Sequence, residues 1–367
     1  MKAIDDHARD DLQTGHDPCL QIQIDLSAML DGELDSASVR RVMVHSDVCQ
    51  ACRAFLQGIR AQSRAHQALT PVLAAARAEA TDDLASIADA PSASPRAREL
   101  CRQLLDNRKQ LAKILYELGR GFVVMGVSPN FSRVVAREPV PIPDVCLRGR
   151  HLIDEAQRLA GGIAQGLQAH GIDGPWVRAR DLFEHGQLGT PEENLEKGRR
   201  LLRECLALRP DYHEARIFLG HSYHVASERE AARLEFGIVL QRAEDPETRA
   251  YALLHLGNVY LEEGLIAHSI PYFQELVDAR ADSRDVLYYA ASMNLVFAFG
   301  LLGQFHDCKE WLRRVDRNFP HKRRAIAAEM RKRPVFCSTI DRHPAMAAEL
   351  AAEFPHWFPI QTQAGAI

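Results

Sequence analysis

The sequence predicts an all-α protein in which a small N-terminal helical domain precedes a stack of helix hairpins. Three observations carry that expectation. Ala, Leu and Arg are abundant while aromatic residues make up only 7% of 367 residues, a balance that favours helix over strand. Apolar residues recur at spacings of three and four along most of the chain, the period of an amphipathic helix. From about residue 179 the pattern repeats with a period close to that of a helix hairpin. The chain is long enough for two or three cores, and its formal charge of −4 singles out neither nucleic acid nor a membrane surface as a partner.

The N-terminal stretch MKAIDDHARDDLQTGHD is too acidic and polar for a secretory signal. No run of about 18 apolar residues occurs, so no transmembrane helix is expected and the expected location is cytoplasmic. Eight cysteines in a reducing compartment are not expected to form a disulfide framework. Cys101, Cys146, Cys205, Cys308 and Cys337 stand singly among helical patterns and read as small buried apolar side chains.

The elements follow in order. Residues 22–35, IQIDLSAMLDGELD, pair an apolar helical stripe with a DGELD break. The next segment carries Val39, Val42 and Met43, then Phe55, Leu56 and Ile59, two amphipathic helices that meet at VHSDVCQACRAF. Residues 70–95 thin out in large apolar side chains and close on TDDLASIADAPSASP, a linker composition. A connecting region over 96–175 opens with the strong helical pattern RARELCRQLLDNRKQLAKILYELGRG and ends with a helix over 148–171. Between them, EPVPIPDV is expected to be irregular because its prolines lack N–H donors.

The repeat region spans 179–322, in four units near 179–212, 213–246, 250–283 and 289–322. Leu219, Gly220, Tyr223, Ala232 and Phe236 recur as Leu256, Gly257, Tyr260, Ser269 and Phe273. A small residue lets two helices approach, and an aromatic fills the space that remains. The fourth unit is marked by Gly303, Cys308, Leu312 and Pro320, and the first, more weakly, by Leu182, Gly186, Leu202 and Pro210. This pattern is similar to the tetratricopeptide repeat, a helix hairpin of about 34 residues, with degenerate terminal units as caps. A basic helical extension over 323–367 follows. Residues 313–333 hold nine Lys or Arg against two acids, a run that reads first as a solvated helix face and second as a docking surface for an acidic partner.

His45, Cys49 and Cys52 form a His-x3-Cys-x2-Cys group, three soft ligands at spacings that suit zinc. The two residues between the cysteines bring both sulfurs into one tight turn, and His45 lies one helical turn back on the same face. A closed structural site needs a fourth ligand. Cys19 is the natural one, with His16 as its rival and a three-ligand site bearing water as the remaining alternative.

The stretch LSAMLDGELDSASVRRVMVHSDVCQACRAFLQGIRAQ resembles the zinc-binding anti-sigma-factor domain of bacteria. Leu26, Ser27, Leu30, Asp31, Gly32, Glu33 and Leu34 match its Leu-Ser-x-x-Leu-Asp-Gly-Glu-Leu opening, and His45, Cys49 and Cys52 match its three-ligand signature. The family's upstream fourth ligand falls on Cys19. The resemblance covers about residues 15–65, inside a zinc-binding domain expected over 15–90. It implies a helical domain that wedges between the promoter-reading domains of an extracytoplasmic-function sigma factor and inhibits it by occlusion. Its last partner-gripping helix would lie in the helical continuation, up to about residue 125. Soluble members carry a C-terminal sensory module, the place the repeats occupy here.

Two further expectations concern chemistry. Thiolate ligands can oxidise with loss of metal, so Cys19, Cys49 and Cys52 are candidate redox sensors, although structural zinc sites mostly contribute folding energy alone. Stacked hairpins form a groove, and Ile217, His221, His224, Leu254 and Asn258 are its candidate lining. His221 and His224 with Asn258 could hold a peptide carboxylate, and they read as groove residues and not as a metal site. No Gly-rich phosphate loop, nucleophile elbow or second metal constellation is evident, so no catalysis is expected. The functional expectation is a cytoplasmic anti-sigma-like regulator that receives a signal through its repeats. The alternative is a zinc-stapled scaffold for protein assembly.

Overall fold

The computed structural model describes residues 18–28, 34–58, 60–61, 94–141, 176–182, 189–280 and 285–358. His16, Ile59, Cys146, Leu30 to Glu33 of the anti-sigma-like stretch, most of the expected linker and the helix expected over 148–171 lie outside these residues. The described chain is all-α apart from one two-stranded ribbon. It forms two compact units, residues 1–218 and 219–367. Among the described residues no helix is long and apolar enough to cross a membrane.

In the first unit, α1 (Pro18–Ala28) and α2 (Ser36–Val48) precede a helical stretch at 50–58. Helix α2 starts where it does because the Asp35 carboxylate accepts from the backbone N–H groups of Ala37 at 2.7 Å and Ser38 at 2.8 Å, satisfying two donors that have no partner inside the helix. Next come α3 (Pro95–Val127) and α4 (Pro129–Arg137), the latter capped by Ser128 with Pro129 in its first turn. Helix α5 (Pro191–Leu208) opens on a capping box in which Thr190 and Glu193 satisfy each other's backbone donors.

Helices α3 and α5 run antiparallel along their length, and glycines set how close they come. A Cβ on Gly119 would sit 2.9 Å from Leu202, one on Gly126 2.8 Å from Leu195, and one on Gly198 2.7 Å from Val123. At the far end the Arg108 guanidinium donates to the Leu208 carbonyl at 3.0 Å. So α5, expected to close the first repeat, takes as its partner a helix from the connecting region. Residues Ala179–Leu182, near the start of that repeat, form a 3₁₀ turn.

The described part of the proline-rich segment, residues 138–141, is not irregular as expected, and 142–145 lie outside the described residues. β1 (Pro139–Pro141) pairs antiparallel with β2 (Trp176–Arg178), Val140 opposite Val177. The Ala179 N–H donates to the Glu138 carbonyl at 2.8 Å, which makes that pair a hydrogen-bonded one. Antiparallel pairs alternate, so Pro139 and Pro141 fall on the non-bonded pairs, where a missing N–H costs nothing. The same register turns the Pro141 carbonyl away from the ladder. Glu138, buried, receives Arg40 at 2.7 Å and Arg41 at 3.4 Å, tying the ribbon to α2.

In the second unit, α6 (His213–Val225), which begins in the first, leads into α7 (Arg229–Arg242), α8 (Pro246–Glu262), α9 (Ile266–Ala279), α10 (Val286–Leu301) and α11 (Phe305–Asn318). These are helical hairpin repeats. A Cβ on Gly220 would sit 2.7 Å from the Phe236 ring, and one on Gly257 2.5 Å from the Phe273 ring, the small-residue and aromatic pairing the sequence predicts. Each hairpin turns on a left-handed residue, Ser227, Gly264 or Gly303. Gly303 is therefore a turn residue and not the counterpart of Gly220. Seven residues before each turn stand Gly220, Gly257 and Val296, and nine residues after stand Phe236, Phe273 and Leu312. The third hairpin thus exchanges a glycine–ring pair for two aliphatic side chains, both fully buried.

Helix α10 is apolar on every face and almost wholly buried, as the centre of a helical stack requires. Three short helices, α12 (Arg323–Arg331), α13 (Pro334–Asp341) and α14 (Pro344–Glu353), close the stack. Phe336 packs in T-shaped fashion on Phe297 at 5.1 Å, and Trp357 donates its indole N–H to the Arg323 carbonyl at 3.2 Å. Part of the basic run is engaged within this unit. Arg323 pairs with Asp316 at 2.6 Å, Arg313 pairs with Glu353, and Arg314, Lys322 and Arg333 lie over the rings of Trp311, Tyr289 and Phe297.

Candidate metal centre

Four residues from three helical segments converge in the first unit. Cys19 lies in the first turn of α1 and His45 in the last turn of α2. Cys49 ends α2 in an extended conformation, donating its backbone N–H to the His45 carbonyl at 2.8 Å. Its own carbonyl accepts from Arg53 at 2.9 Å and so starts the next helix, whose first turn carries Cys52. The break at Cys49 is what brings the two sulfurs and the imidazole to one corner.

The ligand atoms of Cys19, His45, Cys49 and Cys52 all lie within 4.8 Å of one another, and all four residues are buried. Cys19 Sγ is 3.7 Å from Cys49 Sγ and 3.9 Å from His45 Nε2. Tetrahedral zinc, with bonds of about 2.3 Å to sulfur and about 2.1 Å to nitrogen, sets S–S edges near 3.8 Å and S–N edges near 3.6 Å, both approximate. The donor set and its size therefore fit a metal ion. None of the described residues adds a fifth ligand to this group.

The imidazole is oriented from outside the cluster. His45 Nδ1 is 2.6 Å from the Pro141 carbonyl oxygen, which can only accept, so Nδ1 carries the hydrogen. In the neutral imidazole Nε2 then turns its lone pair toward the sulfurs, the arrangement that metal-bound histidines ordinarily show. The group attracts positive charge. Burial lowers the tendency of His45 to hold a proton, but the Cys49 and Cys52 sulfurs and the Pro141 carbonyl outweigh it and raise its pKa to about 9. Burial likewise raises the Cys49 thiol, yet His45, the Cys52 N–H and Cys19 bring it down to about 6.

The sequence offered His45, Cys49 and Cys52 with Cys19 or His16 as the fourth residue, and the structure brings Cys19 to the other three. It did not single out Pro141, whose contribution is a backbone carbonyl 96 residues from His45.

The candidate groove residues are placed differently. Ile217 and Leu254 are buried apolar residues, Leu254 within the core of the second unit. Asn258 accepts from the Asn294 amide at 2.7 Å, linking α8 to α10. His221 and His224 gather with His255, the three ring nitrogens within 4.8 Å of one another. His255, which stands on α8 beside the expected Leu254, was not among the expected residues. Its ring stacks on Phe236 at 5.4 Å and 10° and lies 5.0 Å from the His221 ring. Burial, then the neighbouring His221 and His224, push its pKa down to about 3, and burial also lowers that of His221. His224 Nε2 is 2.9 Å from the Glu262 carboxylate.

A scan against protein-family models finds none that matches this chain, and a search of curated proteins finds no relative.

Proposed function

We propose that this chain is a regulatory interaction protein of the anti-sigma type, in which zinc staples the N-terminal helices into a partner-binding domain and tetratricopeptide-like repeats receive the signal. The observation that carries the reading is the buried Cys19, His45, Cys49 and Cys52 cluster, with His45 oriented by Pro141, in the stretch whose motif resembles the zinc-binding anti-sigma domain. Zinc, when bound, neutralises the thiolates and joins α1 to the junction of α2 and the helix that follows. Four ligands with little solvent access fit a structural ion better than a catalytic one. The proposed action is occlusion of a sigma factor's core-binding surfaces, with no catalytic residue.

One observation favours the adaptor reading. Helix α3 buries Leu111, Leu115, Leu118 and Val123 and packs against α5 of its own chain, whereas an anti-sigma domain would offer its last helix to the partner. The two readings separate in one experiment. The tagged full-length chain is recovered from its native host, and the co-purifying proteins are quantified by mass spectrometry, beside a Cys49→Ala variant. A sigma factor in near-equal amount with the native chain, and lost from the variant, supports regulation. A reproducible partner that is not a transcription protein, retained by both, makes this an adaptor.

A further inference from the structure

The second unit carries a cluster that the proposed function does not use. His221 lies on α6 next to Gly220, the residue whose missing Cβ admits the Phe236 ring. Phe236 in turn stacks on His255 of α8. The contact that closes one hairpin therefore fixes a histidine of the next, and His224, one turn after His221, completes a group with ring nitrogens within 4.8 Å of one another. All three residues are partly buried, so the group is neither sealed in the core nor spread on the surface.

Two observations point to a ligand here. The Nδ1 atom of His221 is buried with no hydrogen-bond partner, a donor or acceptor left unmatched at a cost unless something else takes it. The Glu262 carboxylate, 2.9 Å from His224, sets a negative charge at the edge of the group. That combination of nitrogen ligands and one carboxylate suits a divalent ion of borderline softness, and a carboxylate hydrogen-bonded to a ligating histidine is a common outer partner of such sites. Metal–nitrogen bonds are about 2.0–2.1 Å, which sets nitrogens of one tetrahedral ion about 3.3 Å apart, and the ring nitrogens here lie within 4.8 Å of one another.

We propose that His221, His224 and His255, with Glu262 beside them, form a second metal site, built across two neighbouring repeats, for a borderline divalent cation such as Zn²⁺. The site spans α6 and α8. An ion held there cross-links successive hairpins and leaves further coordination positions for Glu262, solvent or a donor group of a bound partner. It differs in kind from the N-terminal centre, being all nitrogen and oxygen where that one has three sulfurs.

Cobalt(II) distinguishes the two, since only thiolate ligands give intense sulfur-to-metal charge transfer. Tag-free full-length protein, stripped of metal under reducing conditions, is titrated with Co²⁺. Two equivalents are expected, one developing charge-transfer absorption and the other adding only ligand-field bands. His224→Ala and the double variant His221→Ala/His224→Ala are expected to keep the first equivalent and lose at least tenfold in affinity for the second. Glu262→Gln is expected to weaken it about tenfold, the usual scale for an outer partner. A single equivalent in the native chain overturns the proposal. So does a second equivalent whose affinity is unchanged in the double variant while circular dichroism shows it folded, because the ion would then be bound elsewhere.

Discussion

Asp35 shows how much of the candidate metal centre depends on side chains outside it. Its carboxylate caps α2, and α2 delivers His45 one turn before its own end. The bond from the Ser38 N–H holds the Asp35 pKa below its ordinary 3.8 against the opposing effect of burial, with Ala37 and Arg41 assisting. A depressed carboxyl pKa gives stability that is present above the unfolded value and is lost as pH falls through the folded one. Asp35→Ala is therefore expected to cost about 1 kcal/mol near neutrality, and the difference from the native chain should shrink below about pH 4. Denaturant unfolding at both pH values measures it, and an undiminished difference in acid would mean the cap does not act through its charge. Cys205 and Cys308 illustrate the other extreme. Burial pushes both thiols up to about 12, so alkylation of the native chain, mapped by mass spectrometry, should leave both unmodified until the protein unfolds. At this scale the sequence was readable where ligands are local, as with His45, Cys49 and Cys52. It was silent on Pro141, which acts through a main-chain atom that any residue possesses, and on His255, which meets its partners only after two hairpins stack.

At the scale of elements, the repeat was legible because its packing is written as a residue pair. Gly257 exists to admit the Phe273 ring, and a methyl group there would have to displace it. Gly257→Ala is expected to cost about 1–3 kcal/mol through overpacking. The third hairpin, with Val296 and Leu312 in the corresponding places, indicates the remedy. Gly257→Ala combined with Phe273→Leu should be more stable than the sum of the single variants implies, by about 0.5–3 kcal/mol. Chemical denaturation of all four proteins decides it, and simple additivity would show that the pair is not the unit of packing. The fourth repeat carries no such pair, and the glycine that marks it, Gly303, is the turn residue. The α3–α5 pair was not legible, because the glycines that join it lie on segments more than 60 residues apart, beyond any hairpin period. The ribbon at Pro139–Pro141 was misread for a different reason. Proline count argues against a strand, but proline register decides, and both prolines fall where no donor is needed.

On the scale of the whole molecule, the question is what the N-terminal cluster contributes to the unit that holds it. Its four ligands lie on α1, α2 and the following helix, and through Pro141 they reach β1, which Glu138 ties back to Arg40 and Arg41. These elements are short, and α1 and α2 together offer few large buried side chains beyond Ile22, Leu26, Val42 and Met43. Structural zinc contributes on the order of 10 kcal/mol in small metal-dependent folds, comparable with the entire net stability of an ordinary domain of about 5–15 kcal/mol. The second unit has its own continuous core, from Ala250 to Trp357, and none of the four ligands. Stripping the full-length chain with a thiol-compatible chelator under reducing conditions should therefore act unequally. Hydrogen exchange followed by mass spectrometry is expected to lose protection in peptides covering 18–58 and 139–141, while peptides covering α8 to α11 keep theirs. Readdition of Zn²⁺ should restore the first set. Equal loss in both units would mean that the N-terminal centre supports the whole chain. No loss in either would mean that the helices hold the ligand cluster unaided, leaving a bound ion free to serve as a switch.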